Sequence, residues 1–170
     1  MKIIILTALL STGMLFAFAQ SGRNLSPNVT GTSHFSIGLE TGFPIGENGK
    51  PYSSILGGSL QYEYLPASDL GITVNGGYLN YAFKSSYGGS SIGFVPLLAG
   101  VKYYFNRGVF FHAQLGAAIG TARGQGTSFA YAPGIGFAIS QKFDAEIKYM
   151  GISNSGGTLS DVGARIAYNF

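Results

Sequence analysis

From residue 34 onward, apolar and polar residues alternate with period two, the spacing of a strand with one apolar face. Residues 34–43 show it plainly. Phe35, Ile37, Leu39, Thr41 and Phe43 share one face, and Ser36, Gly38, Glu40 and Gly42 share the other. Seven further alternating segments follow at 54–65, 70–83, 92–105, 109–120, 128–139, 143–152 and 159–170. In the third, Leu70, Ile72, Val74, Gly76 and Tyr78 oppose Thr73, Asn75 and Gly77, but Leu79, Tyr81 and Phe83 fall on the other parity. A bulge there, or emergence of the strand from its apolar surroundings, is the expectation.

The connections alternate in length. Residues 44–53, 84–91, 121–127 and 153–158 are longer and rich in Gly and Ser, whereas 66–69, 106–108 and 140–142 are short. Transmembrane barrels have this pattern, with short turns on one side and longer loops on the other. The sequence therefore predicts an all-β fold: an eight-stranded antiparallel up-and-down transmembrane β-barrel over residues 34–170.

Charge agrees with this phase. Glu40, Glu63, Lys102, Asp144, Glu146, Lys148, Asp161 and Arg165, together with His112, all lie on the face opposite the apolar one. A Lys or Arg facing lipid at mid-membrane would cost about 2–4 kcal/mol. A soluble barrel with its apolar face inward is the rival. It would need a charged exterior, yet charged residues make up only 10% of the chain, and the polar face is full of Gly, Ala and Ser. The 27 glycines disfavour helices. The 14% aromatic content disfavours disorder, and the lack of Cys excludes disulfides and Cys-based metal sites. Aromatics gather at segment ends, as interfacial girdles do. Phe35, Tyr64, Tyr103, Phe105, Phe111, Phe143, Tyr168 and Phe170 lie at the short-turn end, and Phe43, Tyr78, Phe94, Phe129, Tyr131 and Tyr149 toward the long-loop end.

Residues 1–19 precede this pattern. Lys2, an apolar run and Ala17-Phe18-Ala19 have the order of a cleaved secretory signal peptide. Residues 20–33 are polar and irregular and read as an N-terminal periplasmic tail. After residue 19 no apolar run is long enough for a spanning helix. Loss of Lys2 would take the net charge from +3 to +2 (nine bases, seven acids), too small a balance to suggest nucleic acid.

A signal-like start, eight amphipathic segments and a terminal Tyr168-Asn169-Phe170 resemble the small OmpA/OmpX-type outer-membrane β-barrel family, often labelled "porin family". The resemblance implies location in the outer membrane of a Gram-negative cell, a monomer, and lipid and lipopolysaccharide as surroundings. It also implies that Ile166, Tyr168 and Phe170 form the C-terminal signal read by the barrel-assembly machinery. No cofactor follows from it.

An eight-stranded barrel is only just wide enough to be filled by side chains, so the inward charges are expected to pair as a plug. Glu40 should meet Arg165 where the first and last strands close, with Glu146 and Lys148 at similar depth. Lys102 is expected to meet Glu63 across the lumen. A narrow porin is an alternative. A surface adhesin or ligand-binding barrel is another, with Lys50, Lys84 and Arg123 facing lipopolysaccharide phosphates. A lipid A-modifying enzyme is the third. It lacks support because His34-Phe35-Ser36 begins at the periplasmic end, and His112 has only Gln114 beside it. No hydroxyl–His–acid triad can be assembled from the sequence, nor any cluster of metal-ligating acids.

Overall fold

The computed structural model describes residues 30–105 and 108–170. The expected signal peptide, 1–19, and residues 20–29 of the expected tail lie outside the described residues. Eight strands follow in order: β1 (Ser33–Ile45), β2 (Tyr52–Ala67), β3 (Leu70–Phe83), β4 (Ser91–Tyr104), β5 (Val109–Gly120), β6 (Thr127–Ala138), β7 (Phe143–Asn154) and β8 (Gly157–Asn169). Each pairs antiparallel with its chain neighbours, and β8 closes on β1 to complete the barrel. Closure leaves no unpaired strand edge, so the backbone's hydrogen bonds are met between strands, as hydrocarbon surroundings require.

Alternation along every strand separates two surfaces. Outside, large apolar side chains stand open around the whole circumference: Phe35 is 61% exposed, Leu60 61%, Leu115 61%, Ile147 61% and Ile166 55%. A water-soluble surface does not carry a continuous apolar belt of this extent. The belt faces lipid, and the barrel is a transmembrane one. Aromatics frame its short-turn end, where Phe143, Tyr168 and Phe170 stack edge to face and Tyr103 meets Phe105. Near the other end Phe129, Tyr131 and Tyr149 form a second group.

The structure corrects the sequence reading in three places. First, the strands are longer and the outer loops shorter than expected. The long connections shrink to residues 46–51, 84–90, 121–126 and 155–156. The expected loop 153–158 is instead a hairpin, with Ser153 paired to Thr158 and Asn154 to Gly157. There Gly157 adopts φ +128°, which an L side chain rarely takes, and Asn154 Oδ1 accepts a bond from Gly156 N. Strands of 12–16 residues exceed the 9–11 or so that cross a bilayer.

Second, β3 does not change phase. Thr73, Asn75, Gly77, Leu79, Tyr81 and Phe83 all point inward, and pairing with β2 runs unbroken from Ile72 to Ala82. What changes along β3 is the polarity of the lumen, not the direction of the side chains. Third, Phe94 is not a girdle residue. It lies on the inward parity of β4 and is buried.

At the base, the end of the expected tail is part of the barrel. Ser33 opens β1, Gly31 N donates to Leu65 O (2.8 Å) and Leu65 N donates to Thr32 O (2.9 Å).

Candidate functional site

The lumen is the candidate site, since all nine inward ionisable residues singled out from the sequence are buried in it. Its two halves differ in chemistry. The half nearer the short turns is polar and ion-paired. The half nearer the outer loops is mainly apolar.

In the polar half, β2 and β4 bring Glu63 and Lys102 together across β3, with Lys102 Nζ 2.9 Å from Glu63 Oε2. The Tyr104 hydroxyl donates to the other Glu63 oxygen. His34 Nε2 stands 3.5 Å from Glu63, so it faces inward at the base of the network rather than outward into solvent. Lys102 Nζ also lies 4.5 Å above the Phe110 ring, a geometry attractive to a cation.

Around β7, β8 and β1 a second group forms. Glu40 and Arg165 occupy paired register positions, but their charged atoms are 3.9 Å apart. The closer partner of Glu40 is Lys148, at 2.6 Å. Arg165 spreads its donors over Ser59 Oγ and Ser36 Oγ, both at 3.0 Å, and lies 3.7 Å from Asp144. Asn169 Nδ2 donates to the other oxygen of Asp144 at 3.0 Å. Arg165 Nη1 and Asp144 Oδ1 face each other at 3.7 Å without a hydrogen bond of their own, so opposite charge compensates their burial there.

His112 and its partner Glu146 lie between the two groups, His112 beside Lys102 in the β4–β5 register and Glu146 beside Arg165 in the β7–β8 register. His112 Nδ1 is 3.1 Å from Glu146 Oε1, and its Nε2 is 3.0 Å from Thr73 Oγ1. This is a hydroxyl–imidazole–carboxylate arrangement that spacing along the chain did not reveal. The three residues come from β3, β5 and β7, and only closure of the barrel brings them together. Catalysis by such a triad needs an accessible nucleophile. Thr73 and His112 are both 0% exposed. The three residues form a buried hydrogen-bond network.

Glycine makes room for these long side chains. A Cβ at Gly38 would lie 2.5 Å from Arg165 Nε, and one at Gly134 would lie 2.5 Å from Glu146 Oε1. Gly71 has Glu63 Oε1 nearer still. At these three positions glycine is space for the network.

The apolar half holds Ile55, Leu79, Tyr81, Phe94, Leu98, Met150 and Ile152 with three buried alanines, Ala118, Ala130 and Ala132. Tyr81 packs edge-on against Phe94 at 5.5 Å and against Tyr52 at 5.9 Å. Its hydroxyl donates to Asp161 Oδ2 at 2.6 Å, tying the apolar layer to an outlying carboxylate. This layer was missed from the sequence. Leu79, Tyr81 and Phe94 occur at positions where a polar-inward rule expects polar residues.

The loop cations are only partly grouped. Lys50 is paired with Glu47 at 2.6 Å, and Lys84 Nζ donates to Lys50 O at 2.6 Å, while Arg123 stands on the 121–126 loop. At the C-terminus Ile166 and Phe170 face outward, Tyr168 packs between Phe143 and Phe170, and Phe170 N donates to Phe35 O at 2.9 Å. Among the described residues, no group of three or more His, Cys, Asp or Glu side chains is placed to hold a metal ion.

No family model and no curated protein sequence matches the chain. Solved structures do. Ail, the attachment invasion locus protein of Yersinia pestis, superposes with a TM-score of 0.60 at 23% identity, over 84% of this chain and 100% of that one. The N-terminal β-barrel domain of Pseudomonas aeruginosa OprF gives 0.57 at 16% identity, over 83% and 100%. A de novo designed transmembrane β-barrel gives 0.54 at 17% identity, over 84% and 98%. The chain has the fold of a small outer-membrane barrel. That a designed barrel matches as readily as natural ones shows how far this fold follows from closure and alternation alone.

Proposed function

We propose that this chain is an integral outer-membrane protein with a structural role in the cell envelope, its lumen plugged rather than conducting. The observation that carries this reading is the double filling of the lumen. A polar layer centred on Glu63–Lys102, Thr73–His112–Glu146 and Glu40–Lys148 is followed by the apolar layer of Leu79, Tyr81 and Phe94. An ion crossing would have to break buried pairs and then enter a stretch lined mainly by apolar side chains, and each step opposes it electrostatically.

The same reading assigns the first 19 residues to export, Ile166, Tyr168 and Phe170 to recognition by the barrel-assembly machinery, and lipid with lipopolysaccharide to the surroundings of a monomer. Outer loops no longer than residues 84–90 give little surface for an adhesin. The sealed position of His112 disfavours an enzyme acting on outer-leaflet lipid. Purified barrel reconstituted in a planar bilayer tests the plug. The expected result is no steady conductance above the bare bilayer, and persistent open-channel current would overturn it.

A further inference from the structure

Above the apolar layer, a cavity of about 320 Å³ opens between the outer connections. That is near the lower bound of clefts that hold small molecules, roughly 300 Å³. Its floor is apolar, made by Phe94 and Ile152, with half-buried Tyr52 beside them. Its wall is lined by three amides: Asn48 from the 46–51 loop, Gln125 from the 121–126 loop, and Asn154 from the end of β7. Asn48 and Gln125 are each anchored by one end, and Asn154 by both, its Nδ2 also donating to Ser128 Oγ at 3.4 Å. Asn48 Nδ2 donates to Thr158 O at 3.0 Å, Gln125 Oε1 accepts from Ala122 N at 3.0 Å, and Asn154 Oδ1 accepts from Gly156 N at 2.8 Å. The side chains are therefore held in place before any ligand arrives, which lowers the ordering cost of binding.

The chemistry of this lining selects among ligands. No charged side chain is among the described residues that line it, so an ion would lose hydration without compensation. A wholly apolar ligand would cover the amides and leave them unpaired, which is also costly. A ligand with one apolar face and several hydroxyls satisfies both parts, because hydroxyls and amides each donate and accept. We propose that the outer mouth binds a neutral saccharide unit, its C–H face on Phe94, Ile152 and Tyr52 and its hydroxyls on Asn48, Gln125 and Asn154. The site goes beyond the plugged-barrel reading and stands whether or not the lumen conducts.

The test is saturation-transfer NMR with the full barrel in lipid nanodiscs. Two probes of one linkage separate a free sugar from a longer glycan: cellobiose and cellohexaose. Saturation of sugar C–H protons is expected with at least one of them; a response to both identifies a site for a free sugar, and a response to the hexaose alone a site for an extended glycan. Asn48→Trp, which fills the mouth from an exposed loop position, should reduce the effect at least tenfold. Gln125→Ala should weaken it several-fold, and Lys84→Ala should leave it unchanged. Heat-modifiable gel mobility checks that each variant is folded. No transfer with either probe, or transfer undiminished in folded Asn48→Trp and Gln125→Ala, would overturn the proposal.

Discussion

The two halves of the lumen solve the same problem by different physics. Both bring inward side chains from facing strands into contact across a narrow tube. The polar half does so with long charged side chains that must find each other, and the apolar half with rings and aliphatic groups that need only fit. Pairing is brittle. Removing one partner strands the other in a poorly hydrated interior, and the loss exceeds what the pair itself contributed. Packing is more forgiving, because neighbours relax into part of the space left behind. The halves should therefore respond differently to comparable damage.

The largest effect is expected at Arg165, which touches Glu40, Asp144, Ser36 and Ser59 at once. Arg165→Ala should cost about 3–5 kcal/mol in urea unfolding of the detergent-solubilised barrel. In the apolar half, Leu79→Ala should cost about 2–3 kcal/mol, at the low end of its class because the open mouth above can relax. A loss there equal to that of Arg165→Ala would erase the contrast.

Gly38→Ala comes next, at about 1–3 kcal/mol, because its Cβ would press on Arg165, a buried side chain held by hydrogen bonds to Ser36 and Ser59. The pair Glu63 and Lys102 sharpens the comparison. Lys102→Met alone should destabilise the barrel, and adding Glu63→Gln should restore most of the loss, since a pair replaced together leaves no stranded charge. The smallest effect belongs outside both halves. Lys50→Ala breaks an exposed ion pair with Glu47 and should leave the unfolding midpoint unchanged within error.

The contrast between the halves also explains what could be read in the sequence. Alternation around Glu40, Lys102, Glu146 and Arg165 marked the inward face because a charge cannot face lipid cheaply, and that constraint acts residue by residue. The strand count and the alternation of short and long connections followed from the same pattern. Leu79, Tyr81 and Phe94 were opaque for the opposite reason. An apolar residue is tolerated on either face, so its parity carries no signal on its own. The partners of His112 were hidden too. Thr73 lies 39 residues before it and Glu146 34 residues after it, and only the barrel's closure and radius set them within reach. The loop ends were misplaced because Gly and Ser suit both a loop and the projecting end of a strand. Ser153 and Thr158 pair where a loop was expected.

Closure of the lumen can be measured directly, because the chain contains no cysteine and a single introduced thiol reports without background. Thr73→Cys is close in size and sits at a fully buried lumen position, while Asn154→Cys lines the outer mouth. Each variant is placed in lipid vesicles with a small charged thiol reagent outside. The Asn154→Cys barrel should label within minutes, and the Thr73→Cys barrel should remain unlabelled over hours. Labelling of folded Thr73→Cys at a rate comparable to that of Asn154→Cys would contradict a lumen closed by these two layers.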